Sequence, residues 1–305
     1  MKQFYRITEG RLAEAENCAS ASVVVYLQPD EAERKILVDD LQVDEHTLSS
    51  ALDPDELARL ESEPEHLAVI FKRPKSAVGG PHFELGIGSI GVFLSRERMV
   101  VVLADDIPFL EGMLNVRVSG LPSLFLRLIY RSIAHFLEHL KVIQKMSDEL
   151  QDQINQAMEN RYLIQLFELQ KSLVYYVSAV NSNEALIERL KPAAAKSGWA
   201  PADLELLDDV QIESRQCARQ AEVLSNILSG LMDARVSIVS NNLNVLMKLL
   251  NFITIGIMVP TLVVSAFSMN VKIPIADNPN AFWLIMGLAL TSVLGLVAYL
   301  RLKKW

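Results

Sequence analysis

Between Leu249 and Phe267 the chain carries no charged residue, and at ~1.5 Å per residue these 19 positions come close to spanning the ~30 Å hydrocarbon layer of a bilayer. The stretch reads as a membrane helix. Polar or soft residues at Asn244, Met247, Asn251, Thr254, Met258, Thr261, Ser265 and Ser268 recur in and around it at steps of 3, 4, 3, 4, 3, 4 and 3. An average step near 3.5 draws one stripe along one face, the face that a left-handed bundle of identical helices turns toward a shared axis. Small and hydroxyl residues also let membrane helices pack closely, and spacing alone does not separate a water-lined path from a packing seam.

A second apolar run, Phe282 to Leu300, is equally long and ends at Arg301, Lys303 and Lys304. Two spans cannot enclose a hole, so a pore requires several copies of the chain. Lys248 precedes the first span, whereas the connecting loop from Val271 to Ala281 offers only Lys272, with Asp277 beside it. The positive-inside rule then puts both termini in the cytoplasm, with the loop outside and the protein multi-pass in the inner membrane. No apolar core follows the N-terminus, so no signal peptide is expected there.

The remaining composition excludes more than it assigns. A net charge of −8 argues against nucleic-acid binding, and Cys18 and Cys217, far apart, suggest neither a disulfide framework nor a thiolate zinc site. No nucleophile and base constellation is visible, so an enzyme is not expected, and neither is a resident cofactor.

Residues 1–118 read as an α/β domain. Apolar, β-branched runs at Ser22 to Leu27, Leu67 to Phe71, Ile87 to Leu94 and Met99 to Leu103 predict strands, the last two joined by a turn at Ser95–Arg98. From Asp30 to Glu65 lies a helical segment with 13 Asp or Glu against Arg34, Lys35 and Arg59. Such a run is ordinarily a solvated face; the alternative is that its carboxylates sense a hard cation. Gly86, Gly88 and Gly91 fit the spacing of a dinucleotide-binding turn, but Val92-Phe93-Leu94 continues as strand where that turn needs a helix, so cofactor binding is rejected. His135, Glu138 and His139 fit a metalloprotease spacing with no third ligand in view, so packed or exposed histidines are expected instead.

Residues 119–200 predict a cytosolic helical hairpin, with Ser123 to Glu159 free of Gly and Pro and a second helix running to Leu190. Lys191-Pro192 and Gly198-Trp199-Ala200-Pro201 punctuate the chain. No proline then appears until Pro260, so one helix of ~60 residues passes from a cytosolic stalk into the membrane, and residues 201–270 are taken as stalk plus first span. The loop is 271–281, the second span 282–300 and a basic tail 301–305.

The first span resembles the pore helix of the CorA family of divalent-cation channels. Phe267-Ser268-Met269-Asn270 stands where the family carries Gly-Met-Asn, usually preceded by Tyr. Asn244, Met247-Lys248, Leu250 and Pro260-Thr261-Leu262 match without a gap, and Arg301-Leu302-Lys303-Lys304-Trp305 is similar to the family's basic end. The similarity is sharp over roughly residues 233–305 and diffuse before them. It implies a funnel-shaped symmetric homo-oligomer, a pentamer, that carries hydrated divalent cations, chiefly Mg²⁺ and also Co²⁺ or Ni²⁺. It also implies that Asp233 lies at the cytoplasmic pore mouth and that Asp209 holds a regulatory cation between subunits.

In that reading Ser268, Met269 and Asn270 select the ion, a ring of Asn270 amides accepting hydrogen bonds from an intact water shell that Mg²⁺ gives up reluctantly. Thr261, Thr254 and Asn251 pass the ion along, while Met258, Leu250 and Met247 narrow the path as an apolar gate. Ser268 in place of Gly bears on the shape of the mouth. Two other readings stay open: a zinc transporter of the same superfamily, proton-coupled, and a non-conducting membrane scaffold or sensor.

Overall fold

Val23–Leu27 and Met99–Leu103 are apolar at every position and buried at every position, which requires cover on both faces of their sheet. The computed structural model supplies that cover from helices. It describes residues 1–39, 43–75, 86–105, 113, 114, 116–156, 160–271, 275 and 278–302. In chain order the elements are β1 (Lys2–Thr8), β2 (Arg11–Glu14), β3 (Val23–Leu27), α1 (Glu31–Asp39), α2 (Glu45–Leu52), β4 (Arg59–Ser62), β5 (Leu67–Pro74), β6 (Ile87–Leu94) and β7 (Met99–Leu103), followed by α3 (Leu121–Gln156), α4 (Asn160–Lys196), α5 (Pro201–Phe267) and α6 (Ala281–Leu302). Contacts divide the chain into two units, Met1–Met232 and Asp233–Trp305, and α5 supplies residues to both.

In the first unit seven strands lie in the order β2-β1-β3-β7-β6-β5-β4, with β3 and β7 parallel and every other pair antiparallel. Alternate side chains serve opposite faces. Val23, Val25, Val92 and Val101 join Leu124, Phe125, Phe136, Tyr176 and Leu207 of the long helices. Val24, Tyr26, Phe93, Val100 and Val102 join Leu37 and Leu48 of the short ones. The result is a sheet between two helical layers.

The acid-rich segment resolves into α1, α2 and β4. Several of its carboxylates cap or pair. Asp30 accepts from the Glu33 amide at 2.8 Å while Glu33 accepts from the Asp30 amide at 3.3 Å, a reciprocal cap, and Asp44 accepts from the Thr47 amide at 2.9 Å. Glu61 pairs with Arg59 and accepts from the Thr47 hydroxyl.

β5 runs three residues beyond the predicted end, because Lys72 and Arg73 are buried there with partners, Arg73 through its terminal nitrogens to Pro74 O and Asp105. Lys72 Nζ donates to Pro54 O at 2.8 Å and Ser89 Oγ at 2.9 Å. β4 stops pairing at Ile70, and Asn183 of α4 takes the place of a strand beside Lys72. Its Oδ1 accepts from the Lys72 amide at 2.8 Å, and its Nδ2 donates to the Lys72 carbonyl at 2.9 Å. Ser132 of α3 donates to the same carbonyl at 2.9 Å, and Ser182 accepts from the Ala58 amide at 2.8 Å.

Pro192 does not end the second long helix, as the sequence suggested; α4 continues to Lys196. Proline's φ is helical, so five residues from the end it removes one amide without breaking the turn. The stop comes at Gly198, whose φ of 70° suits a left-handed cap, with the Gly198 and Trp199 amides bonding back to Ala195 and Ala194. α5 then runs 67 residues with Pro260 inside it.

Candidate functional site

The apolar end of α5 and the whole of α6 are the two helices long and apolar enough to cross a membrane. Both fall in the second unit, where exposure sorts the faces of each. On α5 the half-covered residues are Phe252, Gly256, Val259, Pro260, Val263 and Phe267; on α6 they are Ala281, Ile285, Ser292, Val293 and Leu296, with Ala289 buried. Those strips recur at helical spacing and mark the less exposed face of each helix. The predicted stripe lies elsewhere. Asn244, Met247, Leu250, Asn251, Thr254, Met258, Thr261, Ser265 and Ser268 are all exposed, and at ~100° per residue they sit roughly half a turn from the covered strip. Within one chain, therefore, the amide and hydroxyl face lies opposite the less exposed strip of α5.

The hydroxyls on that face have a defined direction. Thr254 donates to the Leu250 carbonyl at 2.8 Å and Thr261 to the Ile257 carbonyl at 2.6 Å. Each proton is spent on the helix itself, which leaves the oxygen lone pairs as acceptors. Sequence spacing gave no sign of this polarity.

α5 ends at Phe267, one residue before the Ser268-Met269-Asn270 triplet. Ser268 is not among the residues with positive φ, its amide bonds to the Ser265 carbonyl at 3.1 Å and its hydroxyl to the same oxygen at 2.9 Å. A side chain at this position therefore meets no left-handed strain here. Met269 and Asn270 are exposed, and the Val271 amide returns to Met269 O at 2.8 Å. Lys272, Asp277, Lys303 and Lys304, whose charges bear on orientation, and Trp305 lie outside the described residues.

The acids of α5 fall into two groups. Asp203 is buried and accepts from Ser119 Oγ at 3.2 Å, Asp208 pairs with Lys191, and Glu222 accepts from Asn181 at 3.3 Å. Asp209 and Asp233 are exposed and have no ion pair among the described residues. No three His, Cys, Asp or Glu among the described residues converge to hold a metal ion, so one chain brings Asp209 and Asp233 into no cluster by itself.

Two rejected motifs find structural roles. Gly86, Gly88 and Gly91 run along the edge and body of β6, and a Cβ built on Gly91 would lie 2.5 Å from the Ala51 Cβ of α2. That glycine serves helix-on-sheet packing. His135 and His139 stack edge to face with centroids 4.5 Å apart, and His139 Nδ1 meets the Tyr176 hydroxyl at 2.7 Å. Burial lowers the pKa of both histidines and raises that of Tyr176, so the pair packs neutral between α3 and α4. The sequence reading passed over Arg11, Arg117 and Arg127, distant in the chain, which the fold brings to the wall of one cavity in the first unit.

Comparison with known proteins follows the same lines. The chain is 24% identical over 290 residues to the cobalt/magnesium transport protein CorA of Methanocaldococcus jannaschii, covering 88% of this chain and 84% of that protein. The complete structure of the CorA magnesium transporter from that organism superposes with a TM-score of 0.80 at 19% identity, covering 98% of this chain and 96% of the other. The cytoplasmic domain of ZntB from Vibrio parahaemolyticus gives a TM-score of 0.61 at 10% identity, over 78% of this chain and 98% of that domain. The fold is thus an N-terminal α/β domain, a long helix and two apolar helices, as in the complete CorA structure. Residues 24–304 match the family model described as CorA-like Mg2+ transporter protein, and the chain belongs to that family.

Proposed function

We propose that several copies of this chain enclose a path for hydrated divalent cations, Mg²⁺ foremost, along the open face of α5. The observation that carries the reading is the half-turn separation between the polar stripe, exposed throughout, and the less exposed strip of α5. A face of amides and hydroxyls that its own chain leaves bare needs either water or identical neighbours across an axis, since in hydrocarbon its polar groups would go unsatisfied. Five copies is what the family resemblance implies.

Asn270 sits at the outer mouth, where neutral amide oxygens accept from the water shell of the ion without stripping it. Thr261 and Thr254 continue the wall as acceptors, since their protons are tied to the helix. Asn251 and Asn244 extend it inward, and Met258, Leu250 and Met247 form the apolar constriction that gates it. The stripe holds no His or Cys, and oxygen donors favour a hard cation such as Mg²⁺ over Zn²⁺. Both termini face the cytoplasm in this arrangement. Asp209 and Asp233, bare in the isolated chain, bind intracellular cation between subunits and hold the constriction shut; closure requires that the ion bind the shut state better.

Flux into liposomes loaded with a divalent-sensitive dye tests the reading, with Mg²⁺, Co²⁺, Ni²⁺ and Zn²⁺ as separate arms. Asn270→Ala is expected to lower Mg²⁺ entry by about tenfold, the equivalent of ~1.4 kcal/mol lost at the mouth. The Asp209→Asn, Asp233→Asn double variant is expected to keep conducting when internal Mg²⁺ rises. Zn²⁺ entry in preference to Mg²⁺ would establish the zinc transporter instead, and no flux of any ion a non-conducting scaffold.

A further inference from the structure

Where arginines of the first unit lie close to acids they pair with them: Arg59 with Glu61, Arg73 with Asp105, Arg215 with Glu188. Carboxylates are in surplus, 37 Asp and Glu against 29 Lys and Arg, so several guanidiniums gathered on one wall without an ion pair call for a reason. Three such guanidiniums meet at one place. The β1–β2 hairpin turns through Glu9 and Gly10, both at positive φ, and delivers Arg11 to its outer strand. The Val118 amide bonds to the Gly10 carbonyl at 2.8 Å, and Arg117 becomes the antiparallel bridge partner of Arg11. Like charges placed directly opposite are destabilising. Arg127, from the second turn of α3, closes the group, and its Nε is buried with no hydrogen-bond partner. None of the three has an ion pair among the described residues, although Glu9 and Asp203 stand on the same wall.

The three line a cavity of about 710 Å³ together with the hydroxyls of Ser119 and Ser123 and the apolar surface of Val118 and Leu206. We infer that this cavity binds a phosphate-bearing anion of nucleotide size. Guanidinium forks match phosphate oxygens two at a time, and an anion among them relieves the Arg11 and Arg117 repulsion. The volume lies in the range of small-molecule sites and leaves room beyond one phosphate group, with Val118 and Leu206 available to a sugar or base. The cavity lies wholly within the first unit and includes no residue of the polar stripe, so it is a site apart from the ion path.

Titration of the full-length protein in detergent with ATP, in buffer freed of divalent ions, tests the assignment, with pyrophosphate, AMP and inorganic phosphate as parallel probes. Saturable ATP binding is expected, weakened at least ~30-fold by Arg11→Glu with Arg117→Glu and roughly tenfold by Arg127→Gln, as the loss of charge-assisted contacts predicts. Arg189→Glu with Arg219→Glu, an equal charge change on exposed residues outside the cavity, is expected to leave binding unchanged, and an unaltered melting temperature shows that the double variant of the cavity is folded. Equal weakening by Arg189→Glu with Arg219→Glu, or binding of inorganic phosphate as tight as ATP, would overturn a nucleotide-sized site. So would the absence of saturable binding of every probe; if the double charge reversal then also changes the oligomer mass in light scattering, an acidic segment of a second copy fills the cavity.

Discussion

Gly91 offers a test of packing that the structure makes quantitative. It lies in β6, hydrogen-bonded on both sides, and its missing Cβ would stand 2.5 Å from the Cβ of Ala51, itself fully buried in α2. Carbon atoms settle at ~3.5–4.0 Å, so Gly91→Ala demands about 1 Å of movement. A strand held by two neighbours does not supply it, and α2 must lift from the sheet. Overpacking of this kind costs ~1–3 kcal/mol, which for a unit of this size lowers the melting temperature by roughly 3–10 °C. Ala51→Gly alone removes a buried methyl and puts glycine in a helix, each costing about 1 kcal/mol. In the Ala51→Gly background, however, the Gly91→Ala methyl fills the vacated space, and the double variant should melt within ~1 kcal/mol of Ala51→Gly alone. The assay is thermal unfolding of the four full-length proteins in one detergent at one scan rate. Additivity of the two substitutions to within ~0.5 kcal/mol would refute the steric account.

Cys217 is fully buried, and burial with Glu213 nearby pushes its thiol up to about 12, whereas Cys18 is exposed; one N-ethylmaleimide adduct, on Cys18, should appear by mass spectrometry in the folded protein and a second only after denaturation. Burial lowers His66, His135 and His139 below the ordinary 6.5, so unfolded chains take up protons first and the stability these neutral rings contribute is present above that value and lost as pH falls through their folded values. Melting temperature should therefore drop between about pH 7 and about pH 5, and the drop should be shallower in His135→Asn with His139→Asn, where the Asn oxygen can still accept from Tyr176.

The parts of the fold visible in sequence are those whose burial leaves no choice of residue. β3, β6 and β7 are apolar throughout because helices cover both faces, and α5 is legible because proline is absent over most of its length and charge over its last turns. β1, β2 and β4, written KQFYRIT, RLAE and RLES, sit at the sheet's margins, where half of each strand meets solvent and charge breaks the pattern. The end of β5 was hidden for another reason: Lys72 and Arg73 look like surface until their partners from the Asp53-Pro54 corner, β6 and the Asp105 loop are placed around them. At the candidate ion path the period of the stripe could be read, but the less exposed strip of α5 and the carbonyls that orient Thr254 and Thr261 could not, since both depend on three-dimensional neighbours. The arginine cavity left no trace at all, being assembled from a hairpin tip, a bridge residue and a helix more than a hundred positions apart.

The substitution of a side-chain amide for a strand beside Lys72 has a mechanical corollary. Asn183, Ser182 and Ser132 nail α3 and α4 to the sheet through directional bonds, most of them sealed from water, that leave little slack for sliding. α5 is held differently, by Leu207, Val210, Ala218, Ala221 and Leu224 in non-directional contact and by surface pairs such as Arg215 with Glu188 and Lys191 with Asp208, which water can exchange at little cost. Of the helix planes in this unit, the one between α4 and α5 is therefore held by the bonds that water replaces most readily.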